Sequence, residues 1–478
     1  MPCLRDLRSN SARTIERERT PEKSRLQFFG CRFIAGPTGP EGDPMPQFAL
    51  APSLWISGIL LTACHSTNAR NQAGVVDATA PQEDSGELPP DTGPGAHAVT
   101  YYGDVQPILQ QYCVRCHQPN GLGPGDFTDP VTVDLLAPAL LGAIDAGRMP
   151  PPVADPDCQP YSGSEHLRLP TEARDVLSSW IDGGQGLGDP ADAAAPVVVE
   201  TELPDPDHTI QMPEPYAPTF ADPENPGNEY RCFVLDPGEA AGKYITALAP
   251  IVDEASLVHH VVLFSAEESQ LDPEALDPQG YDCIGAMGDL GENGMIAAWA
   301  PGMLPLHMPE GMGIRIPGSH KLVMQIHYFA NGSAAGAVFD QTSYAFMLSD
   351  TASPLVVEPV GTQSFTIPAG AAQHTDGGTY PNPGRDLRLV GVFPHMHELG
   401  TGFDMRIKHD DGTETCLVQG NYNFSNQLTY QWVEPIAFRP GDTVEYSCTW
   451  DNTAGDSAVG YGERTDEEMC YFFTIAGP

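Results

Sequence analysis

From about residue 200 onward the chain is cut into short apolar runs with turn-forming clusters between them, and this punctuation excludes most folds. Leu257–Phe264 (LVHHVVLF), Lys321–Phe329 (KLVMQIHYF), Leu387–Phe393 (LRLVGVF) and Cys470–Ile475 (CYFFTI) are rich in β-branched and aromatic residues. Gly, Pro, Asn and Asp separate them, and helical periodicity is absent. Such residues suit a pleated, half-buried surface, so the pattern predicts antiparallel β-sandwiches. The 49 glycines and 48 prolines, a fifth of 478 residues, fit many turns and at least one disordered linker.

Histidines occupy the interiors and ends of these runs, where a partnerless imidazole is costly. His395 and His397 are two apart, so on a strand both project from one face and can reach one ion. His259 and His260 are adjacent, and a regular strand would aim them at opposite faces. Shared ligation therefore requires a bend there, or a metal at the strand end. His327 ends a third run and can complete a three-nitrogen set, while Met469 offers a thioether to the His395/His397 pair. Taken singly, each histidine reads as a satisfied core or strand-end residue, and Met469 as core packing. Together they predict metal, and the donor types favour two copper ions. Imidazoles hold either copper oxidation state and a thioether stabilises Cu(I), whereas zinc more often recruits carboxylate or thiolate. His208, His307, His320, His374 and His409 lie in polar or Pro/Gly-rich contexts, and most of them are expected in loops.

Ahead of this region, Cys113-Val114-Arg115-Cys116-His117 is the C-x-x-C-H signature of covalent haem c attachment. The run Asp104–Leu109 predicts a helix leading into it. Met149, in Arg148-Met149-Pro150-Pro151, follows His117 by 32 residues, where a class I cytochrome c supplies its sixth ligand. Imidazole opposite thioether favours electron transfer. A helix is expected from Thr171 as N-cap, with Val176, Leu177, Trp180 and Ile181 as its apolar stripe and Gly183 just past its end. Residues 101–188 thus read as a small α-helical cytochrome c domain.

The first 64 residues read as presequence. The apolar segment Phe48–Ala63 ends in Leu61-Thr62-Ala63-Cys64, which resembles a bacterial lipobox with Cys64 as the lipidated residue. No Lys or Arg lies between Met45 and that segment, so either Arg25 and Arg32 supply the charge or residues 1–44 precede the true start. Residues 65–100 form an acidic, Pro/Gly-rich disordered linker. The net charge of −41 excludes a general nucleic-acid binder. Eight of the 23 Lys and Arg lie in the first 35 positions, leaving the remainder more acidic still. Six cysteines remain beyond the presequence, the lipobox and the haem motif: Cys158, Cys232, Cys283, Cys416, Cys448 and Cys470. An even number suits disulfides in an oxidising compartment, with fifteen possible pairings. The expected location is the bacterial periplasm or cell surface, as an exported lipoprotein held to the membrane by its lipid anchor alone.

Several motifs resemble the type II copper (ascorbate-dependent) monooxygenases, which include peptidylglycine α-hydroxylating monooxygenase and dopamine β-monooxygenase. They are His259-His260 before Val-Val-Leu-Phe, Gly318-Ser319, Gln325-Ile326-His327-Tyr328, Pro394-His395-Met396-His397, and Asp466-Glu467-Glu468-Met469-Cys470. The resemblance covers roughly 205–478 in the family's order. It implies a mainly β chain with two jelly-roll-like sandwich lobes, 205–350 and 351–478, one copper on each, facing across a solvent-filled cleft. The haem domain and a linker, 189–204, precede them. By the same resemblance, His259, His260 and His327 hold an electron-transfer copper. His395, His397 and Met469 hold the copper that binds dioxygen and are the catalytic set. Disulfides Cys232–Cys283 and Cys448–Cys470 are implied, and Cys158 and Cys416 are left without an obvious partner. The family's carboxylate-binding residues for peptide substrates are replaced by Phe393, Tyr471 and Phe473, so a less charged aromatic or aliphatic substrate is expected.

These readings combine into an exported copper monooxygenase that hydroxylates a C–H bond of a small molecule with dioxygen. Electrons would pass from an external donor to the haem, then to the three-histidine copper and on to the histidine–methionine copper. The rival is a non-catalytic, lipid-anchored copper-binding or electron-transfer protein on the same scaffold. A plain cytochrome whose β-domains bind a carbohydrate or another partner is a third option.

Overall fold

The computed structural model describes residues 98–478 except 120, 122, 194, 196–200, 223–225, 272, 284–293 and 331–337. Cys64, the presequence, nearly all of the 65–100 linker and part of the 189–204 linker lie outside the described residues. No helix among the described residues is long and apolar enough to cross a membrane.

The N-terminal part is helical, because its apolar residues recur at helical spacing and its helices have local start signals. A π-turn, Tyr101–Val105, leads into α1 (Gln106–Tyr112). In α2 (Pro130–Asp145), Pro130 occupies the first position and the Asp129 carboxylate accepts the N–H groups of Val131 and Thr132. A single turn, α3 (Ser164–Leu167), precedes α4 (Thr171–Asp182). Thr171 is the first helical residue rather than the N-cap: Pro170 sits at the cap, and no side chain caps the helix. Leu177 and Trp180 of α4 are buried with Tyr101, Val105, Leu109, Phe127, Val133 and Ala137 in one small core.

The rest is β-structure in two sandwiches. A five-stranded sheet holds β1 (Asn228–Leu235), β2 (Val258–Glu267), β3 (Met295–Trp299) and β4 (His320–Phe329), in the order β1-β4-β2-β3, with Tyr281–Asp282 at the β1 edge. A four-stranded sheet of His374–Pro381, Thr443–Trp450, Gly400–Lys408 and Glu414–Asn421 forms the outer layer of the second sandwich. The layer facing both is one continuous nine-stranded sheet. Its second half carries Ser353–Gly361, β6 (Tyr471–Gly477), β5 (Leu387–His395) and Tyr430–Phe438. The halves join where Ser353–Leu355 pair in parallel with Met312–Ile314. The two expected sandwiches therefore share a sheet.

Strand β2 is buried from Val258 to Phe264, on both faces rather than on alternate residues. One face packs into the first sandwich. The other, with His260, Val262 and Phe264 two residues apart, looks onto residues of the second lobe. Covering a side chain such as Phe264 contributes about 1.5–3 kcal/mol.

The stretch between α2 and α4 leaves the helical core and docks on the second lobe. Ala154, Tyr161 and Leu167 belong to the main β core. Asp155 N–H donates to Gln419 O at 2.7 Å and Ser162 N–H to Gln431 O at 2.8 Å. Ala154 and Tyr161 form antiparallel bridges with Gly420 and Trp432. Gly420 permits this approach, since a Cβ there would lie 2.9 Å from Ala154 Cα. Cys158 and Cys416, for which the family pattern offers no partner, bond to each other across 258 positions and fasten the stretch. Cys232–Cys283 and Cys448–Cys470 are also bonded, leaving Cys113 and Cys116 as the free cysteines among the described residues.

Candidate metal centres

The adjacency of His259 and His260 is resolved by a register shift. Val258 pairs with Tyr328 and His260 pairs with His327, so His259 is the extra residue of a β-bulge. The bulge turns both rings to the side on which His327 projects. The three Nδ1 atoms stand 3.1, 3.3 and 3.3 Å apart. A triangle of those sides has its corners about 1.9 Å from its centre, close to the ~2.0–2.1 Å of a metal–imidazole bond. Three ring nitrogens facing one another cannot all be satisfied by hydrogen bonds among themselves, and a cation resolves the conflict. His327 is oriented by its other nitrogen: Nε2–H donates to Asn228 Oδ1 at 2.8 Å, which leaves Nδ1 with its lone pair. Tyr230 stacks on the same ring at 4.1 Å.

His395 and His397 lie at and just past the end of β5. His395 Nδ1–H donates to Gln427 Oε1 at 2.7 Å, and His397 Nδ1–H donates to the Glu467 carbonyl at 3.0 Å. The His395 ring therefore keeps Nε2 free. The Glu468 carboxylate, wholly buried, accepts the backbone N–H groups of His397, Leu399 and Met469 and the indole N–H of Trp450. It ties His397 and Met469 to one anchor. Burial pushes this carboxyl up to about 7, and the four donors pull it the other way.

All five imidazoles are held neutral, the form a metal needs. Burial lowers His259 to about 4 and His395 to about 3, the latter aided by the neighbouring His397. It holds His260 and His327 well below the usual range and lowers His397. His260, His395, His397 and Met469 line one chamber of about 70 Å³. The rest of its wall includes Tyr230, Val262, Phe264, Met295, Phe393, Phe424 and Phe473, with Gln325, Gln427 and Glu463 as polar groups. The expected solvent-filled cleft is thus a narrow, largely apolar space, because side chains of both lobes interleave across it.

Both lobes match one family of known proteins. The N-terminal domain of the copper type II ascorbate-dependent monooxygenases matches residues 216–334, and the C-terminal domain of the same family matches 359–475. This chain belongs to that family.

Peptidyl-glycine alpha-amidating monooxygenase A of Xenopus laevis is 25% identical over 247 residues, 47% of this chain and 25% of that protein. The mouse DBH-like monooxygenase protein 2 is 25% identical over 273 residues, 52% of this chain and 43% of the relative. Tyramine beta-hydroxylase of Caenorhabditis briggsae is 23% identical over 192 residues, 37% and 32% of the two chains. This copper-family chain therefore spans less than half the length of each. The major capsid protein P2 of bacteriophage PM2 aligns over 56% of this chain and 97% of its own at 9% identity, with a TM-score of 0.23, too low to bear on fold or function.

Within this member of the family, Phe393 and Phe473 line the chamber, while Tyr471 does not. Tyr471 stacks against Phe473 at 5.6 Å and accepts a hydrogen bond from Gln363. Asn228, Tyr230, Phe424 and Gln427 were invisible as site residues, because strand register and a turn bring them in. Of the other histidines, His208, His307, His320 and His374 lie at strand ends rather than in loops, and His409 alone lies in a loop, just past Gly400–Lys408 and bonded to Asp442.

Cys113, Cys116 and His117 form a helical turn, with His117 N–H donating to Cys113 O. His117 Nδ1–H donates to Pro124 O at 2.8 Å, leaving Nε2 as a potential iron ligand. Burial raises the Cys113 thiol to about 12 and raises Cys116, so both are neutral thiols. These residues fit a covalently attached haem. Met149 is 39% exposed on a cleft of about 740 Å³ whose lining includes neither His117 nor the cysteines.

Proposed function

We propose that the protein is a copper-dependent monooxygenase that hydroxylates a C–H bond of a small, weakly charged aromatic or aliphatic substrate. The observation that carries this reading is the single chamber lined by His260 from one donor set and by His395, His397 and Met469 from the other. Copper, when bound, supplies one-electron chemistry and activation of dioxygen. His259, His260 and His327 would hold one ion through Nδ1, and His395, His397 and Met469 a second. Asn228, Gln427 and the Glu467 carbonyl fix the ring tautomers. Phe264, Phe393, Phe473 and Met295 keep the space apolar and short of water. With Phe393 at the wall, no guanidinium from that position meets a substrate carboxylate, which disfavours glycine-extended peptides.

The helical segment is read as the electron input, with haem c on Cys113 and Cys116 and His117 as its ligand. Arg115, inside the motif, packs beside Gly302 of the first lobe and near Thr429 and Tyr430 of the second. That contact and the Cys158–Cys416 bond support a docked donor rather than a loosely tethered one. Three disulfides support an oxidising compartment, in keeping with export and lipidation at Cys64. Metal analysis of the purified chain should return two coppers and one iron. An oxygen-uptake screen over small aromatic and aliphatic compounds should then find substrate-dependent consumption. Iron without copper, or uptake with a glycine-extended peptide alone, would overturn the proposal.

A further inference from the structure

One turn of the second lobe, Asn423–Gln427, touches both metal sites and the helical segment. Phe424, at its tip, has its ring 5.8 Å from that of His259, 6.4 Å from His327 and 6.3 Å from His397. Those histidines are buried, whereas Phe424 is only partly buried and is flanked by exposed Ser425. Its ring therefore reaches from the solvent side to histidines of both lobes.

Side chains, rather than a strand ladder, hold the turn. Asn423 accepts Ser425 N–H through its side chain and Asn426 N–H through its carbonyl. Gln427 Nε2 donates to Phe424 O at 3.0 Å while its Oε1 accepts from His395 Nδ1, so one amide fixes the turn and a metal-site ring together. Asn426 Nδ2 donates to Pro152 O, on the stretch fastened by Cys158–Cys416.

Phe424 is part of the wall of the chamber, whose free space is about 70 Å³. A dry cavity that admits benzene measures about 150 Å³, so nothing of that size enters while the ring is in place.

We propose that Phe424 is the closing wall between the two metal sites and determines what reaches them, and that the helical segment holds it there through Asn426. The proposal rests on reading the chamber as the active site.

The test uses full-length copper-loaded protein and azide as the probe. Phe424→Ala should speed azide association and dissociation alike, each at least about tenfold, with the dissociation constant changing little, because a wall alters passage and not the ligands. Phe424→Tyr should restore the slow rates, and Asn426→Ala should fall between. A second arm follows diethyl pyrocarbonate labelling of chelator-treated full-length chain by mass spectrometry. Phe424→Ala should accelerate labelling of His259, His327 and His397 and leave the remote His409 unchanged. Unchanged azide rates and labelling in a Phe424→Ala protein with native circular dichroism would overturn the proposal, as would equal acceleration at His409. If copper fails to bind but the labelling pattern appears, the wall stands and the copper reading fails.

Discussion

Glutamine at position 468 would test how the histidine–methionine site is built. Glu468 accepts four N–H groups: three on Oε2, from His397, Trp450 and Met469, and one on Oε1, from Leu399 at 2.7 Å. The amide of Glu468→Gln fits the same volume. Its best orientation keeps the oxygen on the three donors and points an NH₂ at the Leu399 N–H. Leaving that part-buried N–H unsatisfied costs about 1–3 kcal/mol, and three bonds weaken from charge-assisted to neutral by about 0.5–1 kcal/mol each. Relief from burying a charge offsets part of this. The net loss is about 3 kcal/mol, or a fall of about 10 °C in melting temperature for a lobe of this size. Calorimetry of the wild type, Glu468→Gln and Glu468→Asp would measure it. Copper titration should show the histidine–methionine site weakened about 10–100-fold, as for loss of a group that orients ligands, and the three-histidine site unchanged. A Glu468→Gln protein melting within about 2 °C of wild type, with both copper affinities intact, would refute the four-donor anchor.

Other substitutions separate the remaining parts. His259→Ala should lower the copper content from two ions to one per chain by metal analysis, leaving the second site loaded. Asn228→Leu should cost the three-histidine site about 10–100-fold in copper affinity, seen by competition with a chelator, because His327 loses the partner that sets its tautomer. Replacing Cys158 and Cys416 by serine removes a cross-link over a loop that the nested Cys232–Cys283 bond shortens to about 200 residues. Chain entropy sets its contribution at up to about 5 kcal/mol, and limited proteolysis should cut first between Pro150 and Gly163. Cys113→Ala with Cys116→Ala should abolish covalent haem on a denaturing gel stained for peroxidase activity.

What could be read from the sequence was what lies within one strand. The His395/His397 pair follows from the two-residue period, and LVHHVVLF announced a buried strand. Whether His259 and His260 share a face depended on a bulge, and a bulge belongs to the pairing of β2 with β4 rather than to β2 alone. The same holds for Asn228 and Tyr230, which reach His327 only through the β1–β4 register. Phe424 and Gln427 sit on a turn shaped by its own side chains, with no periodicity to mark it. Cys158 and Cys416 lie 258 positions apart, beyond any local signal.

The sheet common to the two sandwiches bears on how the chamber can change. Strands 312–314 and 353–355 are joined by main-chain hydrogen bonds, so swinging one lobe from the other would break a ladder in the middle of a sheet. The spacing between the two donor sets is then a fixed dimension of the backbone, like the gap between pillars cast in one slab. Adjustment for an incoming molecule falls to side chains and turns at the rim.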